Sequence, residues 1–210
     1  MNIVESLHQA VLRGDTEASS ALAKAALEAR VAPEQILKDG LISAMDVVGR
    51  EFQSGIRFIP EMLVSAEAMK AAMQVLRPRL IEQGVKSRGK VVIGTVEGDL
   101  HDIGKDLVAT MLEGAGFEIV DLGVDVSPQQ FADAVRAHQP QIVAMSALLS
   151  TTMAVMPRVI EALREAGLRN QVRVIVGGAP VTREFAAEIG ADGYADDATR
   201  AVSLAETLTV

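Results

Sequence analysis

Cysteine and tryptophan are absent from this chain of 210 residues, and aromatic residues make up only 3% of it. Without cysteine, the protein forms no disulfide, has no thiolate nucleophile and has no metal or iron–sulfur site that needs cysteine ligands. One tyrosine and five phenylalanines offer few surfaces on which the bases of a single-stranded nucleic acid could stack. The apolar residues, 49% of the chain, are mostly aliphatic, so the sequence indicates a core of alanine, valine, leucine, isoleucine and methionine.

Positive charge is scarce in the second half of the chain. Residues 1–88 carry eleven basic and eleven acidic side chains, whereas residues 89–210 carry nine basic and seventeen acidic ones. An acidic surface repels phosphate backbones, so we expect no nucleic-acid partner.

Long apolar runs are also missing. The first residues, Met1 to Glu5, lack the basic start and apolar run of a signal peptide. No stretch approaches the roughly 20 apolar residues that span a bilayer. We therefore predict a cytoplasmic protein with no membrane partner.

The first part of the chain has the pattern of a helical bundle. Residues 21–29 are strong helix formers, and Pro33 and Pro60 suit the first positions of two further helices. Apolar residues follow both prolines at intervals of three and four, and Gly55 separates the two runs. The pattern predicts four helices with short turns, a small antiparallel bundle over residues 1–82.

The second part has the pattern of a parallel sheet. It follows residues 83–89, a polar segment bounded by glycines that we interpret as a linker. Short, nearly continuous apolar runs then alternate with helical stretches, which is typical of parallel strands buried on both faces. We predict a doubly wound, flavodoxin- or Rossmann-like α/β domain of five parallel strands over residues 90–210. The predicted strands are 91–93, 117–120, 142–145, 172–176 and 193–195.

Three segments at predicted carboxyl ends of strands could carry chemistry, because such folds bind ligands at that edge. The first is Asp99-x-His101-x-x-Gly104, in which a carboxylate could fix the tautomer of an imidazole. The second runs from Ser146 to Thr152, and the third is Gly177-Gly178. Each has a purely structural alternative: Asp99 as a helix N-cap, the hydroxyl residues as caps, and the paired glycines as a turn.

The combined spacing resembles the signature of cobalamin-binding domains in which a protein histidine replaces the cofactor's own base on cobalt (base-off, His-on). Gly104 is followed after 41 residues by Ser146-x-Leu148, and Leu148 after 28 more by Gly177-Gly178. The helices around Phe58-Ile59-Pro60-Glu61 resemble the cap that precedes such domains. The resemblance covers essentially the whole chain, whose layout is similar to the free-standing corrinoid proteins of methanol, methylamine and O-demethylase methyltransferase systems. It extends to the cobalamin module of methionine synthase.

The resemblance implies cobalamin or a related cobamide as cofactor. It assigns three residues to the chemistry: His101 would ligate cobalt from the lower face, Asp99 would hold the other ring nitrogen, and Thr152 would hydrogen-bond Asp99. By the same resemblance, His101 is the residue expected to bind a metal, which is the cobalt of the corrinoid.

Other residues are implied to surround the cofactor. Ser146 and Leu148 would line the channel for the displaced nucleotide tail, and Gly177 and Gly178 would pass close to that tail. The further cofactor-binding residues expected in this domain are Gly98, Asp102, Ile103, Gly104, Leu149, Thr151, Gly193 and Tyr194.

In the cap, Phe58, Met62, Ser65 and Met69 have the spacing of one helical face. The resemblance places such residues over the upper, methyl-bearing side of the corrin. The alternative is that this stripe belongs to the core of the bundle.

The resemblance implies a methyl carrier rather than a complete enzyme. A substrate-specific corrinoid methyltransferase would load the cofactor, and a second methyltransferase would pass the methyl group to tetrahydrofolate or a thiol coenzyme. A reductive activase is a third expected partner, and the linker would serve as a hinge.

Four other functions were open at this level. The strongest is a corrinoid-binding sensor or regulator, although the chain has no DNA-binding domain. A phosphoacceptor receiver would need an aspartate where Met145 and Ser146 stand. A metal-dependent hydrolase could use Asp99 and His101 with Asp102, although the expected rim offers few other ligands beyond Glu97 and Asp125. A subunit of an adenosylcobalamin isomerase would have no such cap.

Overall fold

The computed structural model describes residues 2–85 and 87–209. Three residues lie outside the described ranges: Met1, Val210 and, within the predicted linker, Lys86. The chain divides into two compact units, one formed by Met1–Ser87 with Gly114–Gly116 and the other by Arg88–Glu113 with Phe117–Val210.

The first unit is helical. Its elements are α1 (Ile3–Leu12), α2 (Thr16–Glu28), α3 (Pro33–Gln35), a π-helical segment (Ile36–Ile42), α4 (Ser43–Gln53) and α5 (Ile59–Glu82). The stretch from α3 through the π-helical segment to α4 is continuous, so the described residues of this unit form four successive helical rods, as predicted. The sequence pattern did not indicate the π-helical segment, which lies inside the third rod.

Local signals set the ends of these helices. The Asp15 carboxylate accepts a hydrogen bond from the backbone N–H of Ala18 at 2.9 Å and so caps α2. The Glu61 side chain accepts from the N–H of Phe58 at 2.9 Å, and Pro60 lies in the first turn of α5. Large apolar side chains then fill the core of the unit, among them Leu7, Ile36, Leu41, Met62, Met69 and Leu76.

The second unit alternates strands and helices. The strands are β1 (Lys90–Thr95), β2 (Glu118–Asp121), β3 (Ile142–Ser146), β4 (Arg173–Gly177) and β5 (Gly193–Ala195). The helices are α6 (Ile103–Gly114), α7 (Pro128–His138), α8 (Ser150–Met153), α9 (Met156–Glu165), α10 (Arg183–Ile189) and α11 (Ala198–Leu208), with a 3₁₀ turn at Arg169–Gln171.

The five strands form one parallel sheet in the order β2-β1-β3-β4-β5. The predicted doubly wound α/β fold is therefore confirmed, and each predicted strand lies within a residue or two of the observed one. Thr95, Ser146 and Gly177 stand side by side at the carboxyl ends of three adjacent strands. The strand order reverses between β1 and β3, and ligands of such folds bind at that crevice.

Burial explains why the strands were visible in the sequence. The inner strands β1, β3 and β4 are buried along nearly their whole length, whereas the edge strand β2 is partly exposed. Helices cover the sheet with apolar side chains such as Phe131 and Ile160, both fully buried. Strands covered on both faces need apolar residues at every position.

Candidate functional site

The loop between β1 and α6, residues 96–102, is held by the strand that precedes it. The fully buried Thr95 hydroxyl donates a hydrogen bond to the His101 carbonyl at 2.9 Å. The Asp99 N–H donates to the Val96 carbonyl at 3.1 Å. Helix α6 begins only at Ile103, so the alternative that Asp99 is its N-cap is wrong.

The Asp99 carboxylate lies at the centre of the site and is 1% exposed. Its Oδ1 accepts from the His101 ring Nδ1 at 2.6 Å and from the His101 backbone N–H at 3.1 Å. Its Oδ2 accepts from the Leu148 backbone N–H at 2.8 Å and from the Thr152 hydroxyl at 2.6 Å. One carboxylate thus joins the loop after β1 to the segment after β3.

These four bonds favour the ionised form of Asp99. Burial by itself raises the pKa of the Asp99 carboxyl, but hydrogen bonds from Thr152, Leu148 and His101 outweigh it. The pKa therefore lies well below its usual range. A carboxylate that stays ionised can only accept, so the His101 nitrogen that faces it must carry a proton.

His101 is oriented with one ring nitrogen inward and the other outward. Its side chain is 52% exposed, in contrast to the fully buried carboxylate that holds it. Within residues 2–85 and 87–209, no hydrogen bond is made by Nε2. With the proton on Nδ1, Nε2 has a free electron pair and is available as a metal ligand or a base.

Exposed apolar side chains lie on both segments that the Asp99 carboxylate joins, and Asp102 is exposed among them. Leu100 and Ile103, which flank the His101–Asp102 pair, are 71% and 77% exposed. Leu148 and Leu149, on the segment whose backbone bonds Asp99, are each 44% exposed. Exposed apolar side chains in one place commonly mark a binding surface.

Gly104, the second residue of α6, has open space where a Cβ would stand, with no atom within 4 Å. No packing inside the protein therefore requires a glycine there. Asp102 is exposed and its carbonyl accepts from the Asp106 N–H at 2.8 Å as the helix starts. Gly98 has a φ of +81°, which favours glycine, and its N–H donates to the Asp125 carboxylate at 2.7 Å.

The hydroxyl residues after β3 do not act as helix caps. Helix α8 has Leu149 at its N-cap, without a side-chain hydrogen bond. Thr152, 7% exposed, directs its hydroxyl to Asp99 and also to the Leu149 carbonyl at 3.0 Å. Ser146 is half-buried at the end of β3, and Thr151 is exposed. Of this group, only Thr152 joins the Asp99–His101 pair, and the capping alternative is wrong.

The two glycines after β4 have a structural reason of their own. A Cβ on Gly178, whose φ is +121°, would lie 1.9 Å from the Ala147 carbonyl oxygen, and one on Gly177 would lie 2.7 Å from that of Ala195. Gly193 similarly leaves room for Leu204, whose side chain would be 2.6 Å from its Cβ. These close contacts explain why glycine stands at 177, 178 and 193. That the three glycines lie beside a cofactor stays a prediction. The same holds for Tyr194, which is half-buried.

Two residues that hold the site, Thr95 and Lys105, were missed by the sequence analysis, and Asp125 was named there only as a possible ligand in the metal-hydrolase alternative. Thr95 and Asp125 both bond the loop after β1, and Lys105 anchors the first turn of α6. Thr95 ends an apolar strand and Asp125 belongs to a loop beyond β2, so neither has a local signal in the sequence. Lys105 follows Gly104 directly and could have been noticed as a charged residue on a helix face turned inward.

Lys105 is a buried lysine, 2% exposed. Its ammonium donates to the Asp106 carboxylate at 2.5 Å and to the Asp121 carboxylate at 2.6 Å. Burial by itself lowers the pKa of Lys105, but the bonds and charges of Asp106 and Asp121 outweigh it and raise the pKa above its usual value. The ion pair between Lys105 and Asp121 ties the start of α6 to the end of β2. Helix α6 directly follows the loop that carries His101.

The residues predicted from the cap have different environments. Phe58 is 67% exposed, whereas Met62, Ser65 and Met69 are all buried. They do not form one exposed face, and contact of the three buried side chains with a cofactor stays a prediction. Near the start of α5, the predicted Phe58 is exposed together with four apolar side chains that were not predicted, Ile56, Ile59, Leu63 and Val64.

Ser65 has a clear partner inside the helical unit. The Arg57 guanidinium donates to the Ser65 hydroxyl at 3.1 Å, to the Leu12 carbonyl at 2.8 Å and to the Glu51 carboxylate at 2.5 Å. This network joins the end of α1 to α4 and α5.

Within the described part of the chain, no three histidine or acidic side chains are grouped so as to hold a metal ion. The same residues contain no helix long and apolar enough to cross a membrane.

Comparison with protein-family models identifies both parts of the chain. Residues 89–203 match a model described as a B12 binding domain, and residues 3–77 match a second model with the same description. Cobalamin is vitamin B12, so both matches concern the cofactor implied by the resemblance above.

Curated relatives are similar along the whole chain. Trimethylamine corrinoid protein 1 of Methanosarcina acetivorans is 44% identical over 203 residues, which cover 96% of this chain and 94% of that protein. A corrinoid protein of Desulfitobacterium hafniense is 38% identical over 211 residues, covering 99% and 98%.

Solved structures have the same fold. A cobalamin-binding protein of Desulfitobacterium hafniense has a TM-score of 0.80 at 34% identity and covers 98% of both chains. A chain of the methanol:cobalamin methyltransferase complex MtaBC of Methanosarcina barkeri has a TM-score of 0.88 at 30% identity, covering 99% of this chain and 79% of that one.

Proposed function

Because the chain belongs to the family of corrinoid proteins with B12-binding domains, we propose that it is a methyl carrier. It would accept a methyl group on a bound cobamide from one methyltransferase and present it to another. The observation that carries this proposal is the Asp99–His101–Thr152 arrangement, with its one outward-facing ring nitrogen. Cobamide is the cofactor class that the family binds.

The residues present fit such a cofactor. The His101 side chain is half-exposed and its Nε2 makes no hydrogen bond among the described residues, and the two segments joined by Asp99 carry exposed apolar side chains that suit a flat macrocycle. The open space at Gly104 allows close approach of a ligand to the start of α6. His101 would hold the cobalt, and the apolar side chains of Leu100, Ile103 and Leu148 would contact the ring.

A bound corrinoid supplies the nucleophilic cobalt that takes up and releases a methyl group. The protein's own residues control the imidazole. Asp99 keeps the proton on Nδ1, so that Nε2 remains an electron-pair donor, while Thr152 and the Leu148 N–H keep the carboxylate from rotating.

The names of the relatives favour a methylated amine as methyl source. Several relatives that are 43–45% identical are called trimethylamine corrinoid proteins, and others are called dimethylamine corrinoid proteins. We therefore place this chain with a methylamine:corrinoid methyltransferase as loading partner, a second methyltransferase as receiving partner and a reductive activase, in the cytoplasm. A sensor function is the alternative, and it predicts corrinoid binding without methyl transfer.

The histidine assignment can be tested by spectroscopy on the whole chain. Protein labelled with [15N]histidine is mixed with hydroxocobalamin, desalted and reduced to the Co(II) state. Coupling of the unpaired electron to a histidine nitrogen changes the electron paramagnetic resonance pattern from a triplet to a doublet on labelling. We expect this change in the wild type and in His138→Ala, an exposed histidine at the end of α7, and its loss in His101→Ala.

Retention of the triplet in labelled wild-type protein would contradict the histidine assignment, because the nitrogen would then belong to the cofactor's own base. Failure to retain any corrinoid would contradict the proposed function itself. A methylamine methyltransferase and a methylamine, added to the reduced protein, test the carrier role; binding without methylation would favour the sensor.

A further inference from the structure

The segment after β2 runs alongside the histidine loop and bonds it repeatedly. The Thr95 N–H donates to the Gly123 carbonyl at 3.0 Å, and the Val126 N–H donates to the Thr95 carbonyl at 3.0 Å. Val96 and Val126 then form an isolated parallel bridge. The chain beyond β2 therefore continues the parallel pairing past the end of the strand.

Asp125 makes two of the contacts in this segment. Its carboxylate Oδ1 accepts from the Gly98 N–H at 2.7 Å, and its own N–H donates to the Asp99 carbonyl at 3.0 Å. The two bonds enclose the peptide that joins Gly98 to Asp99, which is the residue that holds His101. A third bond, from the Asp99 N–H to Val96, fixes the same residue from its other side.

The backbone of Asp125 has a left-handed conformation, with a φ of +55°. Few residues other than glycine adopt it, although aspartate and asparagine are more tolerant than most. Such a conformation persists where the surrounding bonds require it, and it is most frequent at functional sites. Here it directs the carboxylate and the N–H of one residue toward the Gly98 N–H and the Asp99 carbonyl, the two groups that flank the Gly98–Asp99 peptide.

We propose that Asp125 is a positioning residue for His101: it holds the Gly98–Asp99 peptide so that the Asp99 carboxylate meets both the imidazole and the segment after β3. Asp125 acts through Asp99, and among the described residues it forms no hydrogen bond or ion pair with His101. That the imidazole is a cobalt ligand rests on the proposed function, whereas the effect of Asp125 on Asp99 does not.

Three variants separate the contributions of Asp125. Asp125→Asn keeps an oxygen acceptor and tolerates the left-handed backbone but removes the charge. Asp125→Gly keeps the backbone conformation and removes the acceptor. Asp125→Ala removes the acceptor and also strains the backbone. Because the side chain is exposed, we expect all three proteins to fold, and the glycine variant covers the case in which alanine does not.

Amide hydrogen exchange in the cofactor-free protein gives the decisive measurement. The Gly98 N–H loses its acceptor in Asp125→Gly and Asp125→Ala. Its faster exchange is therefore expected whether or not Asp125 positions Asp99. The His101 and Leu148 amides are different, because both donate to the Asp99 carboxylate and neither touches Asp125. A positioning role predicts that both exchange about tenfold faster in Asp125→Gly and Asp125→Ala, the factor that corresponds to about 1.4 kcal/mol for a typical hydrogen bond, and change less than twofold in Asp125→Asn.

Faster exchange confined to Gly98 would overturn the proposal, since Asp125 would then support only its immediate neighbour. An asparagine variant that behaves like alanine would also overturn it, because the charge rather than the acceptor would be responsible. The hydroxocobalamin-loaded proteins provide a second readout: the fraction with the histidine nitrogen pattern should fall in Asp125→Gly and be kept in Asp125→Asn. If wild-type protein binds no corrinoid, the proposed function fails while the exchange result on Asp99 still stands.

Discussion

Replacing Thr152 with valine tests how much the hydroxyl contributes to the ionised Asp99. Valine has nearly the volume of threonine, so the substitution removes the 2.6 Å bond to the carboxylate with little cavity. A hydrogen bond to a charged group contributes about 1.5–3 kcal/mol, and the buried site prevents water from replacing it fully. We therefore expect the free energy of unfolding of the cofactor-free protein to fall by about 1.5–3 kcal/mol at pH 7.

The pH dependence of this loss identifies its cause. The pKa of Asp99 is lowered by folding, so its ionised form stabilises the protein above the unfolded value of 3.8. That stabilisation is lost as the pH falls through the folded pKa. Removing the Thr152 bond raises the folded pKa of Asp99 toward its usual value, so the difference between wild type and Thr152→Val should be constant from about pH 5 to 8 and shrink as the pH falls through the folded pKa of the variant.

Urea unfolding, followed by circular dichroism at a series of pH values, measures both quantities. Thr152→Ser keeps the hydroxyl and should lose no more than about 1 kcal/mol, the value of one buried methyl group. Thr151→Val, at an exposed neighbouring position, should change stability by less than about 0.5 kcal/mol. The reasoning would be refuted if Thr152→Val lost less than its serine counterpart, or if its loss grew as the pH was lowered.

Three further substitutions test other parts of the site. Gly178→Ala should lose more than about 3 kcal/mol in urea unfolding, because its Cβ would lie 1.9 Å from a backbone oxygen and its φ is +121°; a wild-type midpoint would contradict the crowding. Gly104→Ala should unfold as the wild type does, since its Cβ meets nothing. It should nevertheless bind hydroxocobalamin several-fold more weakly in equilibrium dialysis, and unchanged affinity would remove Gly104 from the cofactor site. Lys105→Met should lose about 1–2 kcal/mol at pH 7 through its bonds to two half-exposed carboxylates. Because folding raises the pKa of Lys105, this loss should be constant below 10.5 and shrink as the pH rises through the folded pKa, and a loss that grew with rising pH would contradict the charge argument.

The fold could be predicted closely from local signals. Helix starts at Asp15, Pro33 and Pro60 depend on residues near the start itself, and the buried strands are continuous apolar runs. The capping box at Ser127 is another example, in which the Gln130 side chain accepts from the Ser127 N–H at 2.8 Å. The π-helical segment has no comparable signal, because it depends on how the continuous rod packs.

The pairing of Asp99 with His101 also has a local basis. The two residues are separated by one position, so their bond is made within a single loop, and the motif could be noticed from spacing alone. The prediction that Asp99 holds His101 therefore needed little knowledge of the rest of the chain.

The sequence by itself determined the helical and α/β parts, the strands and the residues Asp99 and His101, because these features arise between residues close in the chain. Tertiary structure decided which other residues complete the site. Thr152 and Leu148 are 53 and 49 positions from Asp99, and Asp125 is 27 positions from Gly98. The parallel order of β2, β1 and β3 brings them together, since it places the carboxyl ends of those strands at one edge. Burial likewise decided that Met62 and Met69 lie in the interior while Phe58 is exposed, because residues at helical spacing have no mark that distinguishes a core face from a binding face.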